Sequence, residues 1–145
     1  GILGLFLGSF TGSLIFFPAP LEVVTVIAVV AGYEPLVVAT VMTLGSTLGG
    51  VVDYYLGFIG SKIMLPEKDV KKVKRWVDTW GDPIIFITSL LPFPFDIVAV
   101  VVGILKMRFK DFLIASSLGK ALKFFALAFA SSIAWNYFRI KILMS

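Results

Sequence analysis

Phe16-Phe17-Pro18-Ala19-Pro20-Leu21-Glu22 and Leu90-Leu91-Pro92-Phe93-Pro94-Phe95-Asp96 decide how this chain is read. Both run apolar, apolar, Pro, any residue, Pro, apolar, acid, and they stand 74 residues apart. The same offset matches Thr43-Leu44-Gly45-Ser46 to Ser117-Leu118-Gly119-Lys120. One offset linking two separate matches points to an internal repeat. A proline removes an amide donor and clashes with the preceding turn, so neither pair fits inside a straight helix.

The surroundings of these motifs are strongly apolar. Of 145 residues, 59% are hydrophobic and 15% charged, with a mean hydropathy of +1.00. Ordinary soluble domains are about 45–50% apolar and about 25% charged. A fold this small cannot bury that much apolar surface in water. The chain therefore reads as an all-α integral membrane protein. Soluble enzymes, nucleic-acid modules and disordered tails fit poorly. The net charge of +4 belongs to cytoplasmic loops rather than to a nucleic-acid surface. With no Cys and no His, there is no disulfide framework, thiol nucleophile, imidazole metal site or Ser-His-Asp triad. The apolar start lacks a basic flank and is not expected to be a signal peptide.

The prolines break short apolar runs. Residues 84–91 and 97–105 are each roughly 12–14 Å as helix, well short of a hydrocarbon core of about 30 Å. Bent at Pro92 and Pro94, they would enter and leave on one side as a re-entrant hairpin. Residues 2–17 and 21–31 repeat the plan around Pro18 and Pro20. Residues 2–17 are long for a half-membrane arm, so a tilted span is the alternative there. Each hairpin precedes a segment long enough to cross, 35–63 and 112–138. Gly45, Ser46, Gly49, Gly50, Gly57 and Gly60 in the first permit close helix packing.

Charge is unevenly placed. Ten of the 22 charged residues lie in residues 62–82. That window predicts an amphipathic helix from about Pro66 to Trp80. Pro66 suits the first helical position, and Glu67 and Asp69 complement the positive helix start. Val70, Val73, Val77 and Trp80 form an apolar stripe, and Gly81 is a natural stop. The helix would lie in the membrane interface or serve as a solvated cytoplasmic linker. This window and Lys106-Met107-Arg108-Phe109-Lys110 should share the cytoplasmic side. They do so only if residues 84–105 are re-entrant. Tyr33-Glu34-Pro35 would then lie outside, with Arg139 and Lys141. One hairpin plus one span crosses once, so the repeat would be inverted, a plan of many secondary transporters. Repeat 1 covers about 1–63, the linker 64–82 and repeat 2 about 83–138, in a single transmembrane domain.

Few charges remain in the apolar parts. Glu22 and Asp96 follow the proline pairs and should lie deep. Asp53, Lys120 and Lys123 fall inside candidate spans. An ionised group in hydrocarbon costs at least ~2.5–3.5 kcal/mol on insertion scales, so such charges are paired or functional. Glu22 and Asp96 are candidates for proton coupling, or they cap freed amides of their own helices. Lys120 and Lys123 could hold a phosphate or carboxylate, pair with Asp96 or Asp53, or snorkel to the interface. Asp53 is a proton site or an interfacial residue, Lys62 snorkels, and Glu34-Pro35 opens the next helix.

In these residues the chain resembles the DedA family, also called the VTT or SNARE-associated domain. The matching features are Pro18, Pro20 and Glu22, then the Gly-rich span ending Asp53-Tyr54-Tyr55-Leu56-Gly57-Phe58-Ile59-Gly60-Ser61-Lys62. They continue with the basic linker, the second proline motif, Gly103 before Lys106, and a closing helix with Gly119-Lys120. The order covers nearly the whole chain. The resemblance implies two re-entrant hairpins facing each other across the membrane, and lipid flipping or scrambling. It implies polyprenyl phosphate as the bacterial substrate class and phospholipids as the eukaryotic one. Glu22 matches the family's hairpin Glu, and Glu34 its second acidic position. Many members carry Arg-Phe-x-Pro-x-x-Arg in the second hairpin; here both arginines are absent, as in a divergent branch. Lys106, Lys120 and Lys123 are the cations left to take an anionic head group.

The leading expectation is a lipid translocase of the cell membrane, multi-pass and not an enzyme. An anionic head would pass Lys120 and Lys123, with Glu22, Asp96, Asp53 and Glu34 as transport or proton-coupling carboxylates. Its partners would be membrane lipids, a lipid phosphate and protons, with no cofactor, metal or nucleic acid; a homo-oligomer is compatible. The alternatives are a proton- or ion-coupled transporter of a small solute and a non-transporting membrane assembly factor. An intramembrane aspartyl protease using Asp53 and Asp96 would need a Gly-x-Gly-Asp motif, which is absent.

Overall fold

A computed structural model describes residues 1–15, 20–60, 66–91 and 95–144. Seven α-helices and no strand are present among them: α1 Ile2–Gly12, α2 Leu21–Val30, α3 Pro35–Phe58, α4 Glu67–Trp80, α5 Pro83–Leu90, α6 Phe95–Ile104 and α7 Phe109–Met144. Pro18, Pro92, Pro94 and Lys62 lie outside the described residues, so their expected roles as hairpin breakers and as a snorkelling cation are not addressed by it.

Among the described residues, two helices are long and apolar enough to cross a membrane, α3 and α7. With 24 and 36 residues they measure roughly 36 and 54 Å at about 1.5 Å per residue. The helices α1, α2, α5 and α6 have 11, 10, 8 and 10 residues, and none reaches the ~30 Å needed. The helical part of residues 2–17 stops at Gly12, where the Ser13 amide turns back to the Phe10 carbonyl. Phe16 and Phe17, the end of that expected segment, lie outside the described residues. Conversely, α7 runs past the expected end at Phe138 to Met144. Arg139 and Lys141 do not stop it, because both are good helix formers on exposed turns.

Proline and glycine punctuate the chain as their dihedral limits require. Pro35 and Pro83 open α3 and α5, where a missing amide is harmless. Pro66 precedes α4 as its cap rather than forming its first residue. Gly81 ends α4 at φ +67°, its amide donating to the Val77 carbonyl at 2.8 Å.

The helices pack in matching pairs. α1 lies on α3 as α5 lies on α7, and α6 lies on α3 as α2 lies on α7. The details match too. A Cβ on Gly45 would fall 1.8 Å from Ser9 Oγ, and one on Gly119 the same 1.8 Å from Ser89 Oγ. Each serine donates to its own helix, Ser9 to the Phe6 carbonyl at 2.9 Å and Ser89 to the Phe86 carbonyl at 2.8 Å. Leu44 and Leu48 on α3, and Leu118 and Leu122 at the same offset on α7, all face outward.

α3 and α7 run antiparallel. At one end Tyr54 and Tyr55 of α3 meet Phe109 and Phe112 of α7, and the Tyr54 hydroxyl donates to the Met107 carbonyl. At the other end, Glu34 and Pro35 share a cleft with Ser132, Trp135 and Arg139. The stripe of α4 joins the first end: Val73 and Val77 are buried in one cluster with Tyr54, Ile84, Val98, Val102 and Phe112, while Val70 and Trp76 pack against it. Sequence pattern alone offered a lipid interface or bulk water for that stripe. It packs instead on α6 and α5, and Trp80 alone of its members is left exposed. α4 and the 106–110 segment thus occupy the same end of the helix assembly.

Candidate functional site

Helix starts place the two acids. Glu22 and Asp96 are each the second residue of a short helix, α2 and α6. Glu22 makes no cap to its own helix, and Asp96 has no hydrogen bond to a described residue. Both are half-buried. Capping of their own amides is thus not the role seen for Glu22.

The cations come from α7. Lys120 and Lys123 are three apart and so share a face. Lys123 Nζ donates to Glu22 Oε1 at 3.0 Å, closing an ion pair between the two halves of the chain. The side chains are 11% and 33% exposed, so the pair is sheltered but reachable. Lys120 is buried, and its Nζ donates to the Ser46 carbonyl at 2.7 Å. The same ammonium lies 4.8 Å from the centre of the Phe95 ring. Gly50 makes room for it: a Cβ there would stand 3.2 Å from Lys120 Nζ. Lys120 sits within electrostatic reach of Lys123, Asp96, Asp53 and Glu22. Asp96 is in reach of both lysines.

Asp53 is fully buried on α3. Its Oδ1 accepts the Ile15 amide at 2.9 Å, while Oδ2 has no partner among the described residues. The unequal lengths of the two connections account for the first bond. Ser9 precedes Pro18 by nine residues, whereas Ser89 precedes Pro92 by three. The first connection is thus six residues longer, and Asp53 ties down an amide of that extra length. The position 74 residues on is Leu127, with no such amide to bind.

The cluster therefore holds three carboxylates, Glu22, Asp53 and Asp96, and two ammonium groups, Lys120 and Lys123. Two further candidates lie elsewhere. Lys106 is exposed on the turn after α6, at φ 54°, with its Nζ 5.6 Å from the Phe58 ring centre. Glu34 precedes Pro35 at the opposite end of α3 and is exposed. Neither joins the cluster.

Ser46, Gly50, Phe95 and the Ile15 amide belong to the surroundings of the site and were not singled out for it by sequence. Gly50 stood in a small-residue run whose evident use was helix packing. Ser46 acts through a backbone carbonyl, which has no side-chain signature. The alignment of Ser46 with Lys120 was the available hint.

Comparison with known proteins places the chain in a family. The family model described as the VTT domain matches residues 17–133. An uncharacterised protein of Methanocaldococcus jannaschii is 32% identical over 127 residues, covering 85% of this chain and 79% of that protein. No solved structure matches.

Proposed function

The chain belongs to the VTT-domain, or DedA, family, and from that premise we propose that it is a multi-pass membrane lipid translocase for phosphate-bearing head groups. The carrying observation is the Glu22–Lys123 pair at 3.0 Å, sheltered but not sealed, beside a second lysine and a second acid. The family is membrane-associated, and two helices of this chain are suited to crossing.

Two inverted repeats are the architecture we infer, each a re-entrant hairpin plus a span. Three features support it: the matched helix pairings, the equal Gly45–Ser9 and Gly119–Ser89 approaches, and the antiparallel run of α3 and α7. α1–α2 and α5–α6 are the hairpins, and α3 and α7 the spans. Phe95, the first residue of α6, comes together with Gly50 of α3 and Lys120 of α7.

Transport proceeds by ion-pair exchange. Glu22 holds Lys123 in the resting state, so neither charge lies unpaired in hydrocarbon. An arriving phosphate takes the Lys123 ammonium, and Glu22 loses its partner. A proton on Glu22 then removes the unpaired charge, which couples passage of the head group to proton uptake. Asp96 is placed to repeat the step from the other half, because both lysines are in its reach. Lys120 stays with Ser46 and holds the local field positive.

Reconstitution into liposomes with a fluorescent polyprenyl phosphate or phospholipid tests this. Flipping should be lost in the double variant Glu22→Gln, Asp96→Asn. Unchanged flipping in that variant would sink the mechanism, and absence of flipping by the wild-type protein would sink the function.

A further inference from the structure

A second polar site lies away from the charge cluster. At the end of the molecule opposite α4, the α2–α3 turn and the outer part of α7 enclose an open cleft of about 230 Å³. Tyr33, Glu34, Ser132, Trp135, Asn136 and Arg139 line its polar side. Glu34 and Arg139 carry opposite charges, yet neither makes an ion pair with any described residue. Each is thus available to an incoming charge.

From this juxtaposition we propose that the cleft docks a zwitterionic lipid head group, one carrying a phosphate and an ammonium. Charge excludes the simpler ligands. A plain anion would suit Arg139 but meet Glu34. A plain cation would suit Glu34 but meet Arg139. A head group with both charges meets both, with the guanidinium on phosphate and the carboxylate on ammonium. Trp135, half-buried and stacked on Phe138 at 6.3 Å, adds an aromatic face for the ammonium. Ser132 and Asn136 supply neutral hydrogen-bonding groups.

Size and setting point to a lipid rather than a free solute. Pockets that engulf a whole drug-sized ligand hold about 300–1,000 Å³, so this cleft fits a head and leaves chains outside. Exposed apolar side chains flank it to receive them: Val30 on α2, Leu36 on α3 and Ile133 on α7. The cleft lies at the end of α2, where that helix packs on α7. Along α2 the path from Val30 to Glu22 is eight residues, roughly 12 Å. A head docked at Glu34 and Arg139 thus waits one short helix away from the Glu22–Lys123 pair. The assignment of this docked lipid as substrate rests on the translocase reading; its binding does not.

Binding is therefore measured without transport. The detergent-purified protein is titrated by calorimetry with dihexanoyl phosphatidylethanolamine, dihexanoyl phosphatidylglycerol and free phosphoethanolamine. The zwitterionic lipid should bind at least about tenfold tighter than the anionic one, the worth of one charge-assisted contact. Glu34→Gln should erase that preference, whereas Arg139→Gln should weaken both lipids by removing the shared phosphate contact. The exchanged pair Glu34→Arg, Arg139→Glu should regain it, because a zwitterion can turn around. Equal affinity for the two lipids, or a preference that survives Glu34→Gln, overturns the proposal. Free phosphoethanolamine binding as tightly as its lipid overturns the lipid source and assigns the cleft to a soluble zwitterion. A protein that flips lipid yet shows no such preference loses the cleft and keeps the translocase. One that shows the preference without flipping does the reverse.

Discussion

Ser46 and Lys120 occupy equivalent places 74 residues apart in the sequence repeat, and they touch: the Lys120 ammonium donates to the Ser46 carbonyl at 2.7 Å. The contact joins the first half of the chain to the second, α3 to α7. It also breaks their equivalence, since one half brings a hydroxyl residue and the other a cation.

Removing that cation should be costly. Lys120→Met leaves Asp53 and Asp96 without their shared buried positive neighbour, and loss of one partner from a buried charge set costs roughly 3–5 kcal/mol. Chemical unfolding of the detergent-solubilised protein would read the loss. Adding Asp96→Asn to Lys120→Met should recover part of it. A double variant weaker than the sum of the single ones would contradict the electrostatic account.

Glycine substitutions should rank by what they strike. A Cβ on Gly57 would fall 2.0 Å from the Val100 carbonyl oxygen, and one on Gly103 2.0 Å from the Tyr54 carbonyl oxygen. These are backbone atoms and cannot rotate away. At Gly45 and Gly119 the nearest atom is a serine hydroxyl, with carbonyl oxygens at 2.8 and 2.6 Å. Alanine at Gly45 or Gly119 should cost about 1–3 kcal/mol of overpacking, alike in the two halves. Alanine at Gly57 or Gly103 should cost more. Thermal unfolding midpoints of the four variants give the order.

The Glu22–Lys123 pair should show measurable coupling. Polar pairs inside membrane proteins couple by about 0.6 kcal/mol on average and up to about 1.7, and this one is charged and sheltered. A double-mutant cycle with Glu22→Gln and Lys123→Gln should land near the upper figure. A coupling of zero would mean that the pair is not closed in the membrane.

Asp53 should behave as an anchor for the longer connection. Asp53→Leu, which copies the residue at the equivalent position Leu127, leaves the Ile15 amide without its acceptor and should cost about 1–3 kcal/mol. Asp53→Asn keeps an oxygen for that amide and should cost less. Hydrogen exchange at Ile15 is the direct check, faster in the leucine variant than in the asparagine one.

Topology is open to a simple labelling test, because the chain has no cysteine. Single cysteines at the exposed positions Lys68 and Lys110 should react with an impermeant thiol reagent from the same side. One at Ala31 should react from the other. Lys68 and Lys110 labelling from opposite sides would refute the hairpin reading of α5 and α6.

Local pattern was enough for much of this. The all-helical membrane class follows from composition, α4 from its stripe and its Gly81 stop, and the starts of α3 and α5 from Pro35 and Pro83. Each depends on residues within a turn or two of one another. The family is visible for the same reason, as an ordered string of short motifs. Helix ends without a breaker were less legible, as the run of α7 past Phe138 demonstrates.

Long-range partners needed the folded chain. Lys120 and Lys123 look alike in sequence, but one is buried on a carbonyl and the other holds Glu22. Depth and rotation about α7 separate them, and neither is encoded locally. The stripe of α4 could have met lipid or water; α5 and α6 cover it because the chain doubles back there. Asp53 looked like a proton site or an interfacial residue, and its bond to the Ile15 amide arises from six extra residues elsewhere. Glu34 and Arg139, 105 positions apart, line one cleft only because α3 and α7 run antiparallel. A side chain's type is a local property; the charge or amide it meets is set by how distant helices cross.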